Sequence, residues 1–173
     1  AGRMPAIGET IAGSGFKMGP GGKGSNQAVA AARAGADVTF ISRIGADPFG
    51  AVARETWAAE GIVAEVTESD IDPTGAAFIY VNDKTGENAI IVVPGAADGL
   101  SPTDVERAAD AIRGADVFVT QLEQPLAAAR RGLEIARAAG VATIFNPAPA
   151  EPVDDRIWPL CDYVTPNETE AAF

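Results

Sequence analysis

A chain of 173 residues supports one hydrophobic core with a small appendage, and 47% apolar with 21% charged residues excludes disordered, collagen-like and low-complexity scaffolds. A formal charge of -11, from 24 Asp and Glu against 13 Lys and Arg, argues against a nucleic-acid partner, although a nucleotide arriving with a divalent metal remains compatible. The absence of His removes zinc-hydrolase and His-triad chemistry, while Cys161, the one cysteine, rules out an internal disulfide and suits a reducing, cytoplasmic compartment.

Helix and strand signals alternate along most of the chain. Ser25 to Ala34 is an Ala-rich helical run closed by Gly35, and Val38 to Ile44 reads as a strand. Asp47 stands where an N-cap belongs, with Pro48 as first helical residue; Phe49, Val52, Ala53, Thr56 and Trp57 then recur on one helical face until Gly61. Ile62 to Val66 is the next strand. After residue 100 the pattern returns, with a helix from Ser101-Pro102 to Gly114, a strand from Asp116 to Leu122 and a helix from Pro125 to Gly140. Val141 to Phe145 and Tyr163 to Thr165 read as two further strands. This order predicts an α/β fold with a mostly parallel sheet between helices.

Two stretches depart from the alternation. Thr74 to Val81 and Asn88 to Val93 are strand-like runs joined by the polar turn Asn82 to Glu87, which predicts an antiparallel hairpin projecting from the core. Residues 1–20 carry a weaker strand signal at Ile7, Ile11 and Phe16 and are assigned to the same projection. The expected organisation is therefore a core of residues 21–73 and 96–173 with a β lid of residues 1–20 and 74–95. An apolar hairpin at an edge has to be covered by its own core or by another chain, and a homodimer through the lid is the secondary expectation. There is no internal repeat, no apolar run of the ~20 residues needed to span a bilayer, and no basic-then-apolar secretion signal near the start.

The chemistry-bearing residues fall in loops. Gly19-Pro20-Gly21-Gly22-Lys23-Gly24-Ser25-Asn26 runs into a helix, where glycines permit close approach and free N–H groups favour oxygen-rich ligands. It is not a Walker A loop, because Gly rather than Ser or Thr follows Lys23; the plain alternative is a flexible turn feeding a helix cap. Gln121-Leu122-Glu123, Asn146-Pro147 and Pro166-Asn167 each end a strand, and in an open parallel sheet such ends share one ligand-binding edge. Asn167 and Glu170 have the spacing of a capping box; the alternative reading has them orient waters around a magnesium ion.

The ordered series GGKGSNQA (21–28), GADPFG (45–50), Thr74-Gly75, Gly86-Glu87-Asn88, Pro94-Gly95-Ala96, QLEQP (121–125), NPAPA (146–150) and TPNETE (165–170) resembles the ribokinase-type sugar kinases of the PfkB carbohydrate kinase family across essentially the whole chain. Its GGKGSN and NPAPA forms are more similar to ribokinases than to fructokinases or adenosine kinases. The resemblance implies a three-layer αβα sandwich with a small β lid, and transfer of the ATP γ-phosphoryl to the 5-hydroxyl of D-ribose with Mg²⁺. It implies sugar contacts from Gly22, Lys23, Gly24, Ser25, Asn26 and Glu123, a place for Asn167 at the nucleotide phosphates, support of hydrated magnesium by Glu170, and a K⁺ site outside these residues.

Two family features have no counterpart in the 173 residues: an early Asp that clamps the sugar, and the later Gly-Ala-Gly-Asp motif with the catalytic base. The expectation is that the catalytic Asp lies beyond Phe173 and that this polypeptide alone is inactive. A nucleoside or other sugar acceptor, or a non-catalytic sugar-binding or lid-dimerising module, are the alternatives.

Overall fold

Strand β1 (Thr39–Gly45) serves two cores, because its side chains alternate between two covered faces. Phe40 and Ile44 pack with Ala28, Trp57 and Ile62 beneath helices α1 (Lys23–Arg33) and α2 (Pro48–Ala59). Ile41 faces a second cluster containing Leu100, Val105, Ile112 and Ile135. The computed structural model, which describes residues 1–172, thus has helices on both sides of a parallel pair, with β1 aligned to β2 (Val63–Ser69) from Thr39↔Val63 to Gly45↔Ser69.

The local reasons for these elements are those of the sequence. Asp47 caps α2 by accepting from the Gly50 amide at 2.8 Å, and Pro48 occupies the first helical turn where its missing N–H costs nothing. Helix α1 begins at Lys23, two residues before the expected Ser25, so Lys23-Gly24-Ser25 is the first helical turn rather than a loop ahead of it. β2 continues to Ser69, beyond the expected Val66, because the parallel register with β1 carries it to Gly45.

Beyond β2 the chain leaves the core as the antiparallel hairpin of β3 (Ala76–Val81) and β4 (Asn88–Val93), paired from Ala76↔Val93 to Val81↔Asn88. Both faces are open to solvent: Phe78 on one is 66% exposed and Ile79 on the other 55%. Residues 1–20 form no strand, contrary to expectation, since their apolar side chains find no core; Ile7 and Phe16 lie in solvent. The first residue nevertheless touches the hairpin, its carbonyl accepting from Tyr80 Oη and from the Asp83 amide, each at 3.2 Å.

The chain re-enters through a 3₁₀ turn at Gly95–Gly99. The helix expected between Ser101 and Gly114 is jogged into α3 (Pro102–Arg107) and α4 (Ala109–Arg113). The Ala108 amide bonds to the Val105 carbonyl, a tightened turn that lets Val105, Ala108, Ala109 and Ile112 all reach the core. Strands β5 (Val117–Thr120), β6 (Ala142–Phe145) and β7 (Tyr163–Val164) form a parallel sheet in that order, with α5 (Leu126–Ala139) as the crossover. On α5, Leu133 packs with Phe145, Ile157 and Leu122, while Ala128, Ile135 and Ala136 meet the α3–α4 cluster. A short helix α6 (Glu168–Ala171) follows β7.

Among the described residues the parallel strands fall into two hydrogen-bonded sheets, β1–β2 and β5–β6–β7, and the expected separate hairpin β3–β4 is a third. β1 and β5 are linked by side chains: Gln121 beside β5 bonds to Gln27 of α1, and Ile41 and Phe118 pack on one shared cluster. Among the described residues no helix is long and apolar enough to cross a membrane.

Candidate functional site

Two segments distant in sequence meet at the start of α1. Gly22 turns the chain into the helix with φ +88°, and no side chain caps the exposed N–H groups behind it. The Asn26 amide is the first to find a helical acceptor, the Gly22 carbonyl at 2.9 Å, which leaves Lys23, Gly24 and Ser25 as the unpaired first turn. Glu123, carried by the loop after β5, supplies an oxygen there: the Lys23 amide donates to its Oε2 at 2.5 Å. Its Oε1 has no protein donor among the described residues. At one helix start, the Gly24 and Ser25 amides thus lack a helical acceptor and one Glu123 oxygen lacks a donor among the described residues.

The second tie lies one turn further along. Gln121, 7% exposed, donates through Nε2 to Gln27 Oε1 at 2.5 Å, and a Cβ on Gly24 would sit 3.2 Å from Gln121 Oε1. Gln27 and Gln121 lie in the quoted motifs, yet composition gave them no role; the polar pairing of two uncharged side chains 94 positions apart has no sequence signature. Gln124 folds back to the Gln121 carbonyl at 2.6 Å and to Thr120 Oγ1 at 3.0 Å, fixing the loop that aims Glu123.

Hydrogen bonds across the ends of the strands join the other loops to this one. The Leu122 amide donates to the Ala148 carbonyl at 3.0 Å and the Asn146 amide to the Thr120 carbonyl at 2.9 Å. Asn146 Nδ2 reaches the Thr165 carbonyl at 2.5 Å, two residues before Asn167. The three strand-end segments therefore form one continuous rim, as expected of a parallel sheet.

Ser25 departs from the expected site. Its hydroxyl is buried and accepts from Trp57 Nε1 at 2.8 Å, because the indole N–H beneath α1 and α2 requires an acceptor. Asn26 is exposed, and Lys23 is partly buried. Asn167 and Glu170 form the capping box: Asn167 Oδ1 accepts from the Glu170 amide at 2.8 Å, and Glu170 accepts from the Asn167 amide at 2.8 Å and from its Nδ2 at 3.0 Å. Each Glu170 oxygen retains a lone pair, which suits a hydrogen bond to a metal-bound water; no cluster of three acidic or thiol groups able to hold a metal directly occurs among the described residues.

Comparison with known proteins identifies the family and the fold. The family model described as "pfkB family carbohydrate kinase" matches residues 3–173. A ribokinase of Haemophilus influenzae is 43% identical over 165 residues, covering 95% of this chain and 54% of that protein. The structure of ribokinase from Giardia lamblia superposes with a TM-score of 0.87 at 32% identity, over 98% of this chain and 54% of the other. An Arabidopsis thaliana ribokinase solved with ribose and ATP superposes with a TM-score of 0.84 at 29% identity, over 98% of this chain and 56% of the other. The chain spans about half the length of the relatives it matches. With the family match spanning all but its first two residues, the chain belongs to the pfkB family of carbohydrate kinases and has the ribokinase-like α/β fold.

Proposed function

We propose that the protein phosphorylates D-ribose at its 5-hydroxyl with ATP, and that this chain contributes the sugar-facing part of the active site. The observation that carries this reading is the meeting of Glu123 with the Lys23 amide. A carboxylate oxygen that accepts, beside helix-start N–H groups that donate, matches adjacent sugar hydroxyls, each of which both donates and accepts. In this reading Gly22, Lys23, Gly24 and Asn26 bind hydroxyls, Ser25 contributes backbone alone, and Glu123 Oε1 accepts from the sugar. Phosphoryl transfer depends mainly on positioning and charge stabilisation, and the part supplied here is orientation of the acceptor.

Asn167 then lies on the nucleotide side of the strand-end rim, and Glu170 steadies water around magnesium, which neutralises phosphate charge when bound. A K⁺ site lies outside these residues. The apolar hairpin acts as a lid and as a dimer contact with a second copy of the chain, because Phe78, Ile79, Ile90 and Ile91 expose more apolar surface than an isolated hairpin tolerates. A cytoplasmic location agrees with one free cysteine. Coupled detection of ADP with the full-length protein tests the activity: ribose should support turnover well above fructose and adenosine. No ribose-dependent ADP contradicts it.

A further inference from the structure

Three motifs have no part in the sugar site: Gly45 to Gly50, Thr74-Gly75 and Pro94-Gly95-Ala96. The structure gathers them at the root of the hairpin. One carboxylate oxygen of Asp47, Oδ1, accepts from the Gly50 amide at 2.8 Å as the cap of α2, and the other, Oδ2, accepts from the Thr74 amide at 2.7 Å. The Thr74 hydroxyl closes the contact from the other side, accepting from the Gly45 amide at 2.9 Å. Across the root, the Ala96 amide donates to the Pro73 carbonyl at 2.7 Å, and Ala96 is fully buried. The second exit, Gly95, has φ +58°, and a Cβ there would lie 2.3 Å from the Pro73 carbonyl oxygen. The two chains of the hairpin therefore leave the core through one closed knot.

We infer that Asp47 is the positioning residue of the lid: a single carboxylate holds the start of α2 with one oxygen and the root of β3 with the other, so the angle at which the hairpin leaves the core is set by α2. A plain N-cap needs one oxygen, and Ser or Asn serves it about as well as Asp. The second oxygen is what a cap alone does not explain. Because the two accepted bonds are to separate elements, the group couples them as well as capping α2. The Asp47 carboxyl is held below its ordinary range first by the Gly50 amide and next by the Thr74 amide, in keeping with a charge shared between the two.

The inference rests on reading the hairpin as a lid, and the test separates the two. Residue-resolved amide exchange is measured on the full-length protein as wild type, Asp47→Ser and Asp47→Ala, with and without ribose. Asp47→Ser retains a cap oxygen but cannot reach Thr74. Exchange at Thr74 should rise about tenfold, the loss expected for a hydrogen bond to a charged group, while Gly50 stays within roughly twofold of wild type. In Asp47→Ala both amides should exchange faster. A second readout is the distance distribution between spin labels at Lys84→Cys and Arg113→Cys, in a background where Cys161 and every other native cysteine of the full-length protein are replaced by Ser, which should broaden in Asp47→Ser. Unchanged exchange at Thr74 in Asp47→Ser, equal acceleration at Gly50 and Thr74, or an unbroadened distribution each overturns the inference. A loosened root in a protein whose wild-type hairpin shows no response to ribose leaves the clip standing and removes the lid reading.

Discussion

The indole N–H of Trp57 and the hydroxyl of Ser25 are bonded at 2.8 Å beneath the first turn of α1, so the helix that presents the glycine-rich segment is bolted to α2 from inside. Trp57 is 3% exposed and its ring lies 5.0 Å from that of Phe40 at 60°, which leaves no water to replace the hydroxyl. Ser25→Ala strands the indole donor and should cost about 1–3 kcal/mol in urea unfolding. Ribose affinity measured under folded conditions should change little, since Ser25 offers the site only its backbone. A stability equal to wild type contradicts this account of Ser25.

Gly132 sets helix propensity against packing. A Gly→Ala change inside a helix ordinarily gains about 1 kcal/mol. Here the added methyl would sit 2.3 Å from Phe118 Cζ, so the ring that fills the space between α5 and β5 must move. Overpacking of this kind costs about 1–3 kcal/mol and should outweigh the propensity gain. Gly132→Ala is therefore expected to lower the urea midpoint, and a raised midpoint shows that Phe118 repacks freely.

Asp162 gives the expected pH dependence. Its carboxyl is held below the ordinary 3.8 first by the Thr143 amide, then by Arg137 and the Thr143 hydroxyl. A depressed carboxyl contributes stability at pH values above its unfolded value, and that contribution is lost as pH falls through the folded one. The stability gap between wild type and Asp162→Asn should be full near neutrality and shrink below about pH 4. A gap that persists unchanged at pH 3 contradicts the linkage.

The capping box at α6 makes a separate claim about Asn167. Asn167→Ala removes the side-chain oxygen that accepts the Glu170 amide and should speed exchange of the α6 amides, consistent with the ~1 kcal/mol typical of an N-cap. Asn167→Ser retains a capping oxygen and should restore them. If both variants leave exchange unchanged, the box does not order this segment.

Local signals carried much of the fold. Asp47-Pro48 and Gly61 bracket α2, the β-branched and aromatic run from Val38 to Ile44 announces β1, and the polar turn after Val81 announces the hairpin. What the sequence could not display were bonds between distant segments. That Asp47 uses its second oxygen on Thr74, 27 residues away, and that Gln121 reaches Gln27, depend on tertiary approach and leave no periodicity. Ser25 shows the reverse error. Its place in a glycine-rich run suggested the open site, and the demand of a buried indole turned its hydroxyl inward. Residues 1–20 looked weakly strand-like because Ile7, Ile11 and Phe16 recur among glycines, yet without a core to meet they form no strand.

The most direct test concerns Glu123 Oε1, which has no donor among the described residues. Calorimetric titration of ribose into the full-length protein and its Glu123→Ala variant should show binding weakened about tenfold or more, the loss expected for a hydrogen bond to a charged acceptor, with thermal stability nearly retained. Equal ribose affinity in the two proteins would show that the carboxylate resting on the Lys23 amide only shapes the loop, and the sugar-facing role of this helix start would fall with it.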